Sequence, residues 1–263
     1  MLCRTFTHAS GIGETTEKRL WASGVDTWER FLQFPRLREV RSSSQDAARR
    51  TIEESIQRFE TGDWRYFDRC LSQASKWRAF GELGSHPLFF DIETDGSLSK
   101  ITVLGLYDGQ QMRSFVAGRN LQEAAEVLES SPLLISYNGA CFDLPIILRE
   151  FPHLHLNAIH IDLLYPLRRL GFRGGLKGIE TQLGIDRSEQ TKGLFGWDAV
   201  RLWADAESGN TSAMDTLIAY NAEDVIHLEL LLRRVYQTGW NAFEECVSLG
   251  KGLSAGLSRE ENL

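Results

Sequence analysis

The stretch Leu88-Phe89-Phe90-Asp91-Ile92-Glu93 is short, apolar and aromatic, and it closes on two carboxylates. Side chains along a strand alternate between faces, so Asp91 and Glu93 project together while Ile92 points the other way, into a core. Like charges held that close raise one another's pKa unless a cation neutralises them, and hard divalent cations prefer oxygen ligands. A polar strand end facing water explains the same tripeptide, so the pair acquires meaning only from its company.

That company begins directly downstream. Ile101–Tyr107 and Met112–Val116 are β-branched or apolar runs set off by Asp95-Gly96 and Asp108-Gly109, which is how adjacent antiparallel strands read. Leu121–Glu129 has helical spacing, Leu133–Tyr137 reads as a buried strand, Leu144–Glu150 as a helix and Ala158–Ile161 as a last short strand, with only helix expected after Asp162. A meander followed by strand and helix in alternation predicts an α/β mixed sheet with flanking helices over residues 86–240. Residues 1–85 read instead as a small helical region. Ser10-Gly11-Ile12-Gly13 is a turn before a helix from Thr16 to Ala22, Thr27 can cap Trp28–Phe34, and Ser42–Ser44 precede a longer amphipathic helix through Ala47, Ala48, Ile52, Ile56 and Phe59. Gly81-Glu82-Leu83-Gly84-Ser85 marks the expected boundary, and 241–263 the C-terminal tail.

Two further carboxylates stand in suggestive places. Asn138-Gly139-Ala140-Cys141-Phe142-Asp143 links a strand to a helix, so Asp143 either caps that helix or projects over the sheet toward Asp91 and Glu93. Tyr220-Asn221-Ala222-Glu223-Asp224 lies in a helical stretch, and one turn of helix puts the Tyr220 phenol and the Asp224 carboxylate on one face.

A strand with D-x-E, then N-x3-F-D, then a helix with Y-x3-D, in that order, resembles the signature of the DEDD superfamily of 3′-5′ exonucleases. The resemblance is to its tyrosine branch, since the histidine branch carries His five residues before the last Asp, where this chain has Ala219. Within it the chain is similar to the YprB ribonuclease H-like group, in which a helix-hairpin-helix-like start precedes the nuclease domain. Ile161-Asp162-Leu163 and Leu176-Lys177, the latter leading to Leu183-Gly184, are weaker supporting phrases.

The resemblance implies a ribonuclease H-like fold and a 3′-5′ exonuclease acting on single-stranded DNA or RNA with a free 3′ end. Asp91, Glu93, Asp143 and Asp224 would hold two divalent cations, Mg2+ or Mn2+, with Tyr220 beside the attacking water. An inactive nuclease fold serving as a nucleic-acid scaffold and a phosphodiesterase of short oligonucleotides stay open. Nucleic-acid contacts are expected from Asn138 and Phe142 in the second motif and from the basic stretch holding Arg173 and Lys177, where cations closing a helix end are the other reading. Gly11 and Gly13 either cradle a phosphate at the hairpin or serve packing, and Glu14 after them departs from the usual motif. Asp162 either caps the following helix or braces the site. Phe195 and Trp197 belong either to a core or to a base-stacking surface.

Composition narrows the classes. With 263 residues, 42% hydrophobic and 25% charged, the chain is globular rather than disordered or fibrous. Residues 1–85 hold 14 Lys+Arg against 12 Asp+Glu, and residues 86–263 hold 15 against 24, so acid is concentrated in the second part. Cys3, Cys70, Cys141 and Cys246 offer neither zinc-ribbon spacing nor a disulfide framework. No G-x4-G-K-[ST] loop is present, so no ATP motor is expected. No secretory leader is read at Met1–Ser10 and no run reaches the ~18 apolar residues of a membrane span, so no membrane partner is expected and the cytoplasm is the default address.

Overall fold

The computed structural model describes residues 1–97 and 100–260, with side chains described through residue 249. The chain divides into two compact units: Leu83–Val235, and Met1–Glu82 together with the chain from Tyr236 onward.

The N-terminal segment is helical throughout: α1 (Glu14–Ala22), α2 (Trp28–Gln33), α3 (Gln45–Glu60), α4 (Trp64–Cys70) and α5 (Phe80–Leu83). Thr27 caps α2 by accepting from the Arg30 N–H at 3.2 Å, as its position before Trp28 predicts. Aromatic rings fill the core here, with Trp28 stacked on Phe67 at 5.7 Å between centroids. The indole N–H of Trp28, buried with its ring, donates to the Thr5 carbonyl at 2.7 Å.

In the larger unit five strands, β1 (Pro87–Thr94), β2 (Ile101–Tyr107), β3 (Met112–Val116), β4 (Leu133–Ser136) and β5 (Ile159–Asp162), form one sheet in the order β3-β2-β1-β4-β5. The three strands joined by short turns pair antiparallel, and β1–β4 and β4–β5 pair parallel through helical crossovers, α6 (Ala124–Ser130) and α7 (Asp143–Glu150). After β5 come α8 (Leu164–Arg169), α9 (Leu176–Leu183), α10 (Gly196–Glu207) and α11 (Thr211–Glu260).

Alternation along β1 splits the core in two. Leu88, Phe90 and Ile92 join Leu104, Leu106, Leu128, Ile146 and Ile147 on one face of the sheet, against α6 and α7. On the other face Val103 and Val116 pack with Ala199 and Trp203 of α10 and Met214, Leu217 and Tyr220 of α11. Asp91 and Glu93 therefore sit on the α11 side of the central strand.

The stretch 241–263, set apart from the sequence as a tail within the expected helical run, is helix as far as Glu260, while 261–263 lie outside the described residues. Burial explains the continuation. Phe243 is buried, edge-on to Trp21 at 5.1 Å and beside Trp240 at 5.6 Å, so the end of α11 completes the N-terminal segment's own core. Its spacing from the preceding apolar residues of the helix is legible only once those aromatics are known to need a cover. Among the described residues, no helix is long and apolar enough to cross a membrane.

Candidate active site

Asp91 opposes Gly105 across the β1–β2 ladder, and Glu93 opposes Val103 just before the register slips at Glu93/Thr94. A bulge of this kind bends the strand and re-aims the side chain beside it. Gly105 leaves a gap that Asn221 of α11 fills: a Cβ at 105 would overlap the Asn221 amide oxygen. Through that gap Asn221 Nδ2 donates to the Asp91 carbonyl at 3.2 Å and to its carboxylate Oδ2 at 3.0 Å. Asn221 is fully buried, and its side chain fixes the first acid of the motif to the helix that carries the last.

Asp91, Glu93 and Asp224 each offer a carboxylate oxygen, and these oxygens lie within 4.8 Å of one another. Asp143 stands beside them. It is the first residue of α7 rather than its cap, and its Oδ1 accepts the Ile92 N–H at 3.1 Å, which ties the helix start to β1. Of the two roles its sequence position allowed, the structure shows the projection over the sheet.

The electrostatics are those of acids without enough counter-charge. Burial raises the Asp91 pKa well above the ordinary carboxylate range, and the charges of Asp143, Asp224 and Glu93 raise it further. Glu93 is raised by burial and by Asp224, Asp143 by burial to about 7, and Asp224 by burial against the opposing pull of Arg187. A dication among these oxygens would lower the pKa of each of these acids. Hard oxygen donors clustered within one ion's reach suit Mg2+ or Mn2+, so the residues present fit the group.

Around the acids stand cations and a phenol. Lys177 Nζ donates to the Tyr220 hydroxyl and to the Leu194 carbonyl, 4.1 Å from the Tyr220 ring centroid. Burial raises the Tyr220 pKa, as do Asp224, Glu93 and Asp91, so the group stays a protonated phenol at neutral pH. Burial lowers that of Lys177.

Arg187, which sequence reading passed over, donates to Asp224 and holds Glu180 in a fork, Nε to Oε2 at 2.7 Å and Nη2 to Oε1 at 2.6 Å. His227 Nδ1 lies 3.0 Å from the same Glu180 Oε1. Burial would raise the Glu180 pKa, but the bonds from His227 and Arg187 outweigh it and hold it below the usual range. Glu180 and Arg187 are seven residues apart, two turns of helix, but α9 ends at Leu183 between them, so helical periodicity does not carry from one to the other. Asn221, inside the Tyr220–Asp224 motif, was at least adjacent to a recognised signal.

One cleft of about 490 Å³ gathers Asp91, Asp143, Asp224, Tyr220, Lys177, Asn138 and Phe142, with Tyr137 and Phe195 among the other lining residues. Asn138 takes a left-handed backbone, φ 62°, one of the few residue types that does so readily. Asp162 makes that turn possible while also serving the next helix. Its Oδ1 accepts the N–H of Asn138 at 2.7 Å and of Leu164 at 3.0 Å, and its Oδ2 accepts the Ala140 N–H at 3.1 Å. Asp162 thus ties the 138–140 turn to the start of α8, whose N-cap is Leu163. Phe195 and Trp197 are 63% and 77% exposed, so they are not core residues. They stand at the first turn of α10, and Lys177 Nζ lies over the Phe195 ring, 5.2 Å from its centroid.

Arg173 is exposed and outside the cleft lining. Its guanidinium donates to the Arg168 and Phe172 carbonyls at 2.6 and 2.8 Å, closing the end of α8. Gly11 and Gly13 lie in the other compact unit. Gly11 has φ 78°, and a Cβ there would overlap the Ser44 side chain, so close packing accounts for this glycine. Gly13 caps α1, and Glu14 directly after it is a charge that opposes a phosphate there.

A family model of the RNase H superfamily matches residues 88–236, so the chain belongs to that superfamily. The matched segment spans the sheet, apart from Pro87 at the start of β1, and the part of α11 that bears Tyr220 and Asp224. Such domains typically hydrolyse nucleic acids with divalent cations, and the acidic cluster is in place here. No curated protein matches the chain.

Proposed function

We propose that this protein is a metal-dependent 3′-5′ exonuclease of the tyrosine branch, similar to the YprB-like group, which shortens single-stranded DNA or RNA by phosphodiester hydrolysis. The observation that carries the reading is the convergence of Asp91, Glu93 and Asp224 within 4.8 Å, with Asp143 beside them in one cleft with Tyr220. Asp91, Glu93, Asp143 and Asp224 hold the cations. Two divalent cations bound there would acidify a water and neutralise the leaving 3′ oxygen.

The chain's own groups supply position. Tyr220, kept protonated by burial and by three neighbouring carboxylates, orients the attacking water and does not remove its proton. Lys177 fixes the phenol from one side and presents its charge to the cleft, where a phosphate would lie. The open ring of Phe195 gives a terminal base a face to stack on, and Asn138 and Phe142 line the wall by which the strand approaches.

The test is a length series of 5′-labelled single-stranded DNA and RNA with Mg2+, Mn2+ or EDTA. Stepwise shortening from the 3′ end, present with either cation and absent in EDTA, is the expected result. Equal cleavage in EDTA, or cleavage confined to the shortest oligonucleotides, would refute the exonuclease assignment.

A further inference from the structure

Of the four clustered acids, among the described residues Asp224 is the one that a guanidinium holds directly. Arg187 is almost fully buried, with 8% of its side chain exposed, and its charge has two carboxylates to serve. Glu180 is the permanent one: it takes the two-pronged fork, is itself 3% exposed, and shares its Oε1 with His227 as well. The bond to Asp224 is a third one, shared on the nitrogen that already serves Glu180. Arg187 therefore keeps its anchor whether or not it keeps Asp224. The remaining nitrogen, Nη1, is buried without a partner, so the guanidinium's place is not set by full satisfaction of its donors. It lies where an opposite charge is wanted.

We infer that Arg187 is the resident counter-ion of Asp224, a positioning residue that competes with the incoming cation for this carboxylate and so sets the cation affinity of the site. The inference rests on the reading that the four acids hold divalent cations, and it goes further by assigning the opposition to their entry. Two consequences are opposite in sign to those of a merely structural arginine. A residue that only aims Asp224 would, when removed, weaken cation binding. A competitor would, when removed, strengthen it, because a positive charge beside a dication site is gone and Asp224 has lost its alternative partner.

Mn2+ binding, followed by the loss of the free-ion electron paramagnetic resonance signal, separates the two for wild type, Arg187→Met, Arg187→Lys and Asp91→Asn. Arg187→Met should bind Mn2+ more tightly by about tenfold or more, and Arg187→Lys, which keeps the charge, should stay within a few-fold of wild type. The rise in melting temperature on adding Mn2+ should also be larger in Arg187→Met, whose cation-free state has no counter-ion to lose. Because a lone Arg187→Met leaves Glu180 buried with half its partners, the double variant Arg187→Met with Glu180→Gln is measured beside it, and the same tightening is expected. Unchanged or weaker Mn2+ binding in whichever of the two variants folds overturns the counter-ion role. Absence of Mn2+ binding in wild type, or equal binding by Asp91→Asn, instead overturns the underlying cation reading.

Discussion

Glu17 in the N-terminal segment and the acids of the cleft meet the same problem in different ways. Glu17 is buried, 1% exposed, yet Arg78 grips both its oxygens at 2.8 and 2.9 Å and the N–H groups of Phe6 and Thr7 donate to it at 2.7 and 3.3 Å. In the cleft, Asp91, Glu93, Asp143 and Asp224 have Arg187 and Lys177 between them, and all four carboxyls are raised, by burial first. The chain can neutralise a buried acid when it needs one for structure. Where it leaves the neutralising incomplete, an external cation is invited.

The strongest way to break this contrast is Asp91→Asn. Nuclease activity should fall by roughly 10³-fold or more, since charge stabilisation at the reacting centre is lost. In EDTA at neutral pH the variant should melt at or above wild type, because repulsion with Glu93, Asp143 and Asp224 is relieved. Lower melting, with turnover near wild type at saturating Mn2+, would mean the acids are ordinary structure.

Arg78→Met tests the other half. Leaving Glu17 buried and unpaired should cost about 3–5 kcal/mol in a denaturant titration. A loss under about 1 kcal/mol would show that Glu17 reaches water and that the two regions are not so different.

Tyr220→Phe sharpens the contrast inside the cleft by removing a neutral group from among charged ones. Turnover should drop about 10–100-fold, at or below the low end for positioned proton-transfer groups, while Mn2+ affinity holds. Equal loss of cation affinity in Tyr220→Phe and Asp224→Asn would assign the phenol a different role.

A further test lies in the pH dependence of stability. Asp143 is pushed up to about 7 when folded, above its unfolded value near ~3.9, so its folded-state penalty is absent below about pH 4, grows as pH rises from there to about 7, and levels off above that. In EDTA, wild type and Asp143→Asn should be close in stability at pH 4, and wild type should fall behind between pH 4 and 8. Saturating Mn2+ should close the gap. A difference that does not change with pH would place the ionisation of Asp143 outside folding.

Much of this was legible because strands and helices have short periods. Asp91 and Glu93 share a face by period two, and Tyr220 and Asp224 by one helical turn, so both pairs could be read without knowing what lay opposite. The mixed sheet followed from where turn residues fell. What escaped were contacts made only by folding back. Arg187 reaches Asp224 across 37 residues and Asn221 reaches Asp91 across 130, and nothing local in either stretch announces its partner. Asp143 was ambiguous because a carboxylate at a helix start serves as a cap in the absence of a sheet to lean over. Phe195 and Trp197 were ambiguous because an aromatic side chain reads alike whether it is covered or not. The helix of the C-terminal stretch was expected, but its packing was not legible: Phe243 looks isolated in sequence, and only Trp21 and Trp240 make its burial necessary.

The empty space at Gly105 has a thermodynamic consequence. Because no side chain grows there, Asn221 can reach through and hold the Asp91 carboxylate and its backbone carbonyl together. The rotational freedom of that carboxylate is surrendered when the polypeptide folds, so little of it is left to lose when an ion arrives. A missing methyl group on β2 thus acts as preorganisation for a ligand on β1.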